Sequence, residues 1–342
     1  MSDSKLVVNI EVSDHDESVG EDLESLHSEM TSNHSDLSST AERHDDGEEI
    51  VAAALEGAST QSAVRINVYE NILFAGGDGD YSILSVLFGA HSIGEGIFGF
   101  LNMIDSNKVR VQCVECRQAV MDFPWMDVSY DSRVRGSVRA WRAAFPVARA
   151  VNVSQRDDIV DADFVHIRGD ARVRLHTVNM WNCKRVTDAA FFHLRGIHTL
   201  EMWGCNQATI TDAAFICLRG IHTLYMGSCN QTTITDSAFI HLRGIHTLDM
   251  SGCNQATITD SAFIHLRGIH TLYMSDCDQA TITNSAFLHL RGIHTLYMRR
   301  CDQATITPAA LIHLRGIHTL LTDGCSPAIQ SAAAALLAES AS

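Results

Sequence analysis

The chain has 342 residues, a formal net charge of −16, 46% apolar residues and only four prolines. This leaves room for two or three domains with a buried core and excludes collagen-like and proline-rich chains. The charge is uneven: residues 1–50 carry 15 acids against Lys5 and Arg43, so the rest of the chain is close to neutral. With no basic patch exceeding its surroundings, no nucleic-acid partner is expected.

Residues 1–62 are rich in Ser, Asp and Glu and poor in aromatics. Such a segment cannot bury enough apolar surface to offset its ordering entropy, so a disordered acidic tail is expected. Within it, Val7-Val8-Asn9-Ile10, followed by acids and Ser13, resembles a SUMO-interacting motif, which adds a strand to a partner's sheet edge. Ser13, Ser18 and Ser39 each have an acid three residues on, which suits an acidophilic kinase. No basic-then-apolar leader opens the chain, so the ten cysteines are expected to be reduced thiols in the cytoplasm or nucleus. The longest apolar stretch, residues 86–104, contains His91, Glu95 and Asn102. One carboxylate at mid-membrane costs roughly 2.5–3.5 kcal/mol, so no membrane partner is expected.

Residues 63–147 are mixed, apolar and irregular, and are expected to form a small module that also caps the N-terminal end of the repeats. From 148 to 326 the chain repeats itself. Cys205, Cys229, Cys253, Cys277, Cys301 and Cys325 stand 24 residues apart, and Cys183 precedes them by 22. Residues 230–253 and 254–277 agree at 21 of 24 positions, and copies this close must fold alike, as a stacked solenoid. A degenerate first unit has Arg156 where the cysteine would stand.

Each unit parses into elements. Ile197-x-x-Leu200-x-Met202-x-x-Cys205 fits L-x-x-L-x-L-x-x-C. Leu200 and Met202 alternate with Thr199, Glu201 and Trp203, which predicts a short strand with one buried face. Thr211 caps a short helix that begins at Asp212, whose charge suits the helix N-terminus. Phe215 and Leu218 share its inner face, and Gly220 after Arg219 stops it. Seven such Arg-Gly pairs run from Arg168-Gly169 to Arg315-Gly316. The expected fold class is α/β, a leucine-rich-repeat solenoid with parallel strands on the concave face and short helices outside. Residues 327–342, with Pro327 at the helix start and an Ala/Leu-rich run after it, predict a C-terminal capping helix.

The repeated Cys-x-x-x-x-Ile-Thr-Asp-x-x-Phe-x-x-Leu resembles the cysteine-containing leucine-rich repeats. That subfamily often follows an F-box. Ile97-Phe98-Gly99-Phe100-Leu101 resembles the F-box core, Val109-Arg110-Val111-Gln112-Cys113 its later helix, and Asp122-Phe123-Pro124-Trp125 its closing region. The usual Leu-Pro opening is absent, and Cys116 stands where Trp is common. The resemblance implies a small F-box-like helical module over residues 63–147 and a substrate receptor of a cullin-RING ubiquitin ligase, monomeric within a hetero-complex. Ile97, Phe98, Phe100, Leu101, Val109 and Val111 would then dock on the ligase adaptor, and a protein target would sit on the concave face. The rival reading is a binding scaffold whose helical module only caps the solenoid.

With Ile197 as position one, the copied framework varies at positions five, seven and eight. The candidate target-binding residues there are Trp181, Glu201, Trp203, Tyr225, Asp249, Tyr273, Asp276, Tyr297, Arg299 and Arg300. Tyr, Trp and Arg dominate protein-binding hot spots; the bland alternative is drift at exposed sites. Thirteen of the 18 histidines fall in two columns, one running from His176 to His318 and the other from His166 to His313. Zinc needs ligands converging on one point, and a linear ladder does not converge, so structural hydrogen bonding is expected and no metal. The cysteine column is expected to pack as small hydrophobes. No phosphate loop, nucleophile elbow or placed acid–nucleophile pair occurs, so neither catalysis nor a cofactor is expected.

Overall fold

The computed structural model describes residues 12–13, 49–53, 63–67, 114–169 and 173–340. Most of the acidic segment lies outside this range. So do Cys113 and the adaptor-binding candidates Ile97, Phe98, Phe100, Leu101, Val109 and Val111. The chain divides into two compact units, residues 1–101 with 109–119, and residues 102–108 with 120–342.

In the first unit, three strands lie in the stretch where a disordered tail and the start of a helical module are expected. They are β1 (Val12–Ser13), β2 (Glu49–Ala53) and β3 (Ala63–Asn67). They pair antiparallel in the order β1-β3-β2. Ile50, Val51, Val64 and Ile66 are β-branched, which favours the strand over the helix. A helix at Val114–Asp122 spans the sequence boundary between the units.

The second unit contains a solenoid. Eight strands pair in parallel and in sequence order: β4 (Ala150–Asn152), β5 (Thr177–Asn179), β6 (Thr199–Glu201), β7 (Thr223–Tyr225), β8 (Thr247–Asp249), β9 (Thr271–Tyr273), β10 (Thr295–Tyr297) and β11 (Thr319–Leu321). The register is strict, Thr on Thr and Leu on Leu from β6 to β11. Four turns close through a four-residue helix, such as Asp212–Phe215, that runs into a 3₁₀ turn such as Ile216–Leu218. The first turn has a six-residue helix at Asp163–Arg168, Asn284–Phe287 has no 3₁₀ turn after it, and the last turn is 3₁₀ from Pro308 to Leu314. The chain is a leucine-rich-repeat solenoid.

One copied set of side chains fills its core. Leu200, Met202, Cys205, Ile210, Ala214, Phe215, Leu218 and Ile221 are buried, and so are their counterparts in the next turns. A fully buried Leu, Ile or Phe contributes roughly 1.5–3 kcal/mol.

Polar ladders fix the spacing. The Asp188 carboxylate accepts the N–H and the hydroxyl of Thr211 in the next turn, both at 2.7 Å. Asp212 serves Thr235, Asp236 serves Thr259 and Asp260 serves Thr283 in the same way. The cap threonine therefore works twice. Thr211 Oγ1 also accepts the N–H of Ala213 at the start of its own helix. Each thiol donates to a carbonyl one turn back, as Cys229 does to Met202 and Cys253 to Met226. The cysteines of the column are unbridged. Burial pushes the Cys183 thiol up to about 12 and the Cys205 thiol up to about 11, so both stay protonated at neutral pH.

The ends of the solenoid are built differently. Before β4, the helix Val138–Ala144 begins at Ser137, whose side chain accepts the Ala140 N–H. Arg142 on this helix is buried and donates to the carbonyls of Phe145, Ala148, His166 and Ile167. Arg156, in the place of the column cysteine, donates to the carbonyls of Val134 and Gly136. After β11, the helix Pro327–Ser340 buries Ile329, Ala333 and Leu336, which lie on one helical face.

Candidate binding surface

The strands place positions five and seven of each unit on the face opposite Leu200 and Met202, because side chains alternate along a strand. Trp181, Glu201, Trp203, Tyr225, Tyr273, Tyr297 and Arg299 are all partly exposed there. In register, Glu201 faces Tyr225, Tyr225 faces Asp249, Asp249 faces Tyr273 and Tyr273 faces Tyr297. The Tyr273 and Tyr297 rings stack, with centroids 4.7 Å apart and planes at 28°.

Several of these positions are matched to their neighbours. A Cβ on Gly227 would fall 1.7 Å from Trp203 Nε1, so Gly227 is the residue that lets the Trp203 indole lie across the next turn. Asp276 accepts two hydrogen bonds from Arg300, at 2.6 and 2.8 Å, and Arg299 pairs with Asp323 at 3.1 Å. Asn179 donates to Glu201. Burial nonetheless raises the Glu201 carboxyl above its ordinary value. The Tyr225 hydroxyl is raised as well, first by burial and then by the charges of Glu201 and Asp249.

Two expectations change in detail. Asp249 is only 7% exposed, and it accepts the Ser251 N–H at 2.8 Å. It forms part of the floor of this surface. Position eight is constrained by the backbone. Asn182, Gly204, Ser228, Gly252, Asp276, Arg300 and Gly324 there all have φ between 53° and 73°. Glycine takes this left-handed conformation freely and Asn and Asp tolerate it. The Gly/Asn/Asp/Ser pattern at this position reflects that demand, and Arg300 adopts the conformation while bonded to Asp276. The small polar residues in this column are the signal, visible in the sequence as a run of left-handed formers.

The histidine columns fall elsewhere. From His176 to His318, neighbouring imidazoles stack with centroids 4.3–4.5 Å apart and planes within 17°. Each Nδ1 lies within hydrogen-bond distance of the hydroxyl of the Thr after it, as at His222–Thr223, 3.1 Å. In the second column His241, His265 and His289 accept at Nδ1 from Arg219, Arg243 and Arg267 of the preceding turn at 3.1–3.2 Å. Burial, and after it the nearby arginine charge, lowers the pKa of all three. Cys217 interrupts this column, and Arg195 there lies 4.3 Å from the centre of the Phe192 ring. Among the described residues no group of three or more His, Cys, Asp or Glu could hold a metal ion. No helix among them is long and apolar enough to cross a membrane.

No protein-family model and no curated protein matches the chain. Solved structures similar to parts of it include TLR13 in its complex with ssRNA13, at 14% identity and a TM-score of 0.39. That match covers 53% of this chain and 33% of TLR13. Toll in the Drosophila Toll–Spatzle complex gives 8% identity and a TM-score of 0.37, covering 54% and 31%. Human 5T4 gives 15% and 0.42, covering 52% and 70%. The chain spans about a third of the length of the first two. The fold assignment rests on the chain's own 24-residue unit and its eight parallel strands in sequence order.

Proposed function

We infer that the protein is a non-enzymatic recognition subunit that holds a protein target on the concave strand face. One observation carries this reading. The copied framework changes its side chains at positions five and seven, and there the changes are complementary: Trp203 over Gly227, Tyr273 on Tyr297, Arg299 with Asp323. Random drift on a solvated face would not match neighbours in this way. Aromatic rings and arginines held by such packing lose little conformational freedom on binding, which is what a hot spot requires.

The finer reading is an F-box substrate receptor in the cytoplasm or nucleus. It rests on the resemblance of residues 97–125 to an F-box. Such a receptor would raise the concentration of the bound target near the ubiquitin-charged enzyme and do no chemistry itself. The test is co-purification with the ligase adaptor, using the full chain and an Ile97→Asp, Leu101→Asp variant. A stoichiometric complex that is lost in the folded variant is the expected result. A folded wild type that binds no adaptor leaves the scaffold reading, with its concave face unaffected.

A further inference from the structure

Charges that cancel along the sequence are separated by the fold. In six successive units, the stretch from the buried Phe (Leu311 in the last) to the Thr of the next strand, as in Phe215–Thr223, has no carboxylate but always an arginine. The unit before them carries Asp170 beside Arg168-Gly169. The helical stop brings these arginines to the same place in every turn, just before a glycine with φ of 78–82° at Gly196 to Gly316. Arg195, Arg219, Arg243, Arg267, Arg291 and Arg315 are all exposed and form a row along one edge of the solenoid.

The row is held in order. Arg219, Arg243 and Arg267 are tethered through Nε by the imidazoles of the next turn, and Arg195 by the Phe192 ring. Among the described residues, none of the six has a carboxylate within ion-pair distance. Glu339 shares a recess with Arg315 only, at the end of the row. The acids nearest the tethering imidazoles, Asp212, Asp236 and Asp260, are occupied by threonines of the next turn. Adjacent units lie about 4.8 Å apart, so six arginines extend over roughly 24 Å. A line of fixed like charges at this spacing repels itself, and its complement is an equally linear anion.

We propose that this edge binds the phosphate backbone of a single-stranded nucleic acid without reading its bases. Guanidinium groups pair with phosphate oxygens through two parallel hydrogen bonds. The neighbouring imidazoles stack on one another, so their faces are taken and offer no platform for bases. A flexible single strand can lie along the row, whereas each strand of a duplex winds away from a line within about half a turn. The expectation from composition that nucleic acid is no partner averages over charges that the tertiary structure segregates. The edge is separate from the concave strand positions, so the two surfaces can be broken independently.

The experiment is fluorescence anisotropy of a labelled 20-nucleotide oligo-dT with the full chain at pH 7.5, across a salt series. Competitors are a 20-base-pair duplex, a heparin fragment and poly-glutamate of matched charge. The wild type should bind with a Kd of about 10⁻⁴ to 10⁻⁶ M at physiological salt, weakening as salt rises. Arg219→Gln, Arg243→Gln, Arg267→Gln together should weaken binding at least tenfold and lower the salt slope by about 2, at about 0.7 per lost phosphate contact. The corresponding triple Lys variant should retain most of the binding. Circular dichroism checks that each variant is folded. The proposal is overturned by no binding at 50 mM salt, by a folded triple Gln variant that binds like wild type, or by a duplex, heparin or poly-glutamate that binds as tightly as oligo-dT.

Discussion

The middle turns and the two ends of the solenoid are stabilised by different means. Between Cys183 and Cys301 repeated polar groups bond one turn away, Asp to Thr, thiol to carbonyl and Gln231 Nε2 to the Cys205 carbonyl, although the Oε1 atoms of Gln207, Gln231, Gln255 and Gln279 stay buried without a partner. At the ends no equivalent atom exists. The first turn is closed by Arg142 and Arg156, single arginines that each gather several carbonyls. At the far end Asn284 replaces the ladder aspartate and donates to Thr307 Oγ1. Pro308 stands where every earlier unit has Asp or Asn, and Gln303 is buried with no hydrogen-bond partner for its amide. Repetition makes the interior simple to specify, because one good contact is copied. The ends need unique residues.

Four perturbations test this contrast, in decreasing order of expected effect. Deleting residues 327–342 uncovers the contacts of Ile329 and Leu336 and should lower stability by about 3–6 kcal/mol or cause aggregation. Size-exclusion chromatography and urea unfolding measure it, and a monomer with an unchanged midpoint would deny the helix a capping role. Arg142→Met leaves buried carbonyls without donors and should cost about 3–5 kcal/mol. Burial already lowers the Arg142 guanidinium to about 10, so its hydrogen bonds must offset a real desolvation cost. A loss below about 1 kcal/mol in urea unfolding would mean that water replaces it. Asp236→Ala removes two hydrogen bonds in the interior and should cost about 1–3 kcal/mol by the same measurement. The same change at Asn284 should cost less, because both of its hydrogen bonds with Thr307 join neutral groups.

The smallest effect is that of acid. The imidazoles of His193, His241, His265 and His289 have lowered pKa values in the fold, first from burial and then from neighbouring arginines. As pH falls through the ordinary histidine value near 6.5, the unfolded chain takes up these protons before the folded one. Stability is therefore full at pH 7.5 and declines toward pH 5.5. These groups are partly exposed, so solvent screening keeps the loss modest. A melting temperature that is unchanged or higher at pH 5.5 would refute this.

Much of the fold is legible in the sequence because a solenoid writes its structure as a period. Cysteine spacing defines the unit, alternation at Leu200 and Met202 defines the buried strand face, and Gly220 marks the helical stop. The pattern identifies Thr211 as a cap but not its second bond, to Asp188 in the turn before. That contact depends on the height between turns, which no local pattern encodes. Gly227 is only a gap in a variable column until the Trp203 indole lies over it. Arg142 carries no signal, since a lone arginine on a short helix is usually a solvated one.

The sequence by itself determined the unit, its buried residues and the parallel stacking, because 24-residue copies can pack only on their own neighbours. Tertiary structure alone decided which residues meet across turns. It set Asp249 into the floor of the concave face and lined up arginines 24 residues apart on one edge. Distance along the chain hides these neighbours, and a spacing of about 4.8 Å between strands brings them together.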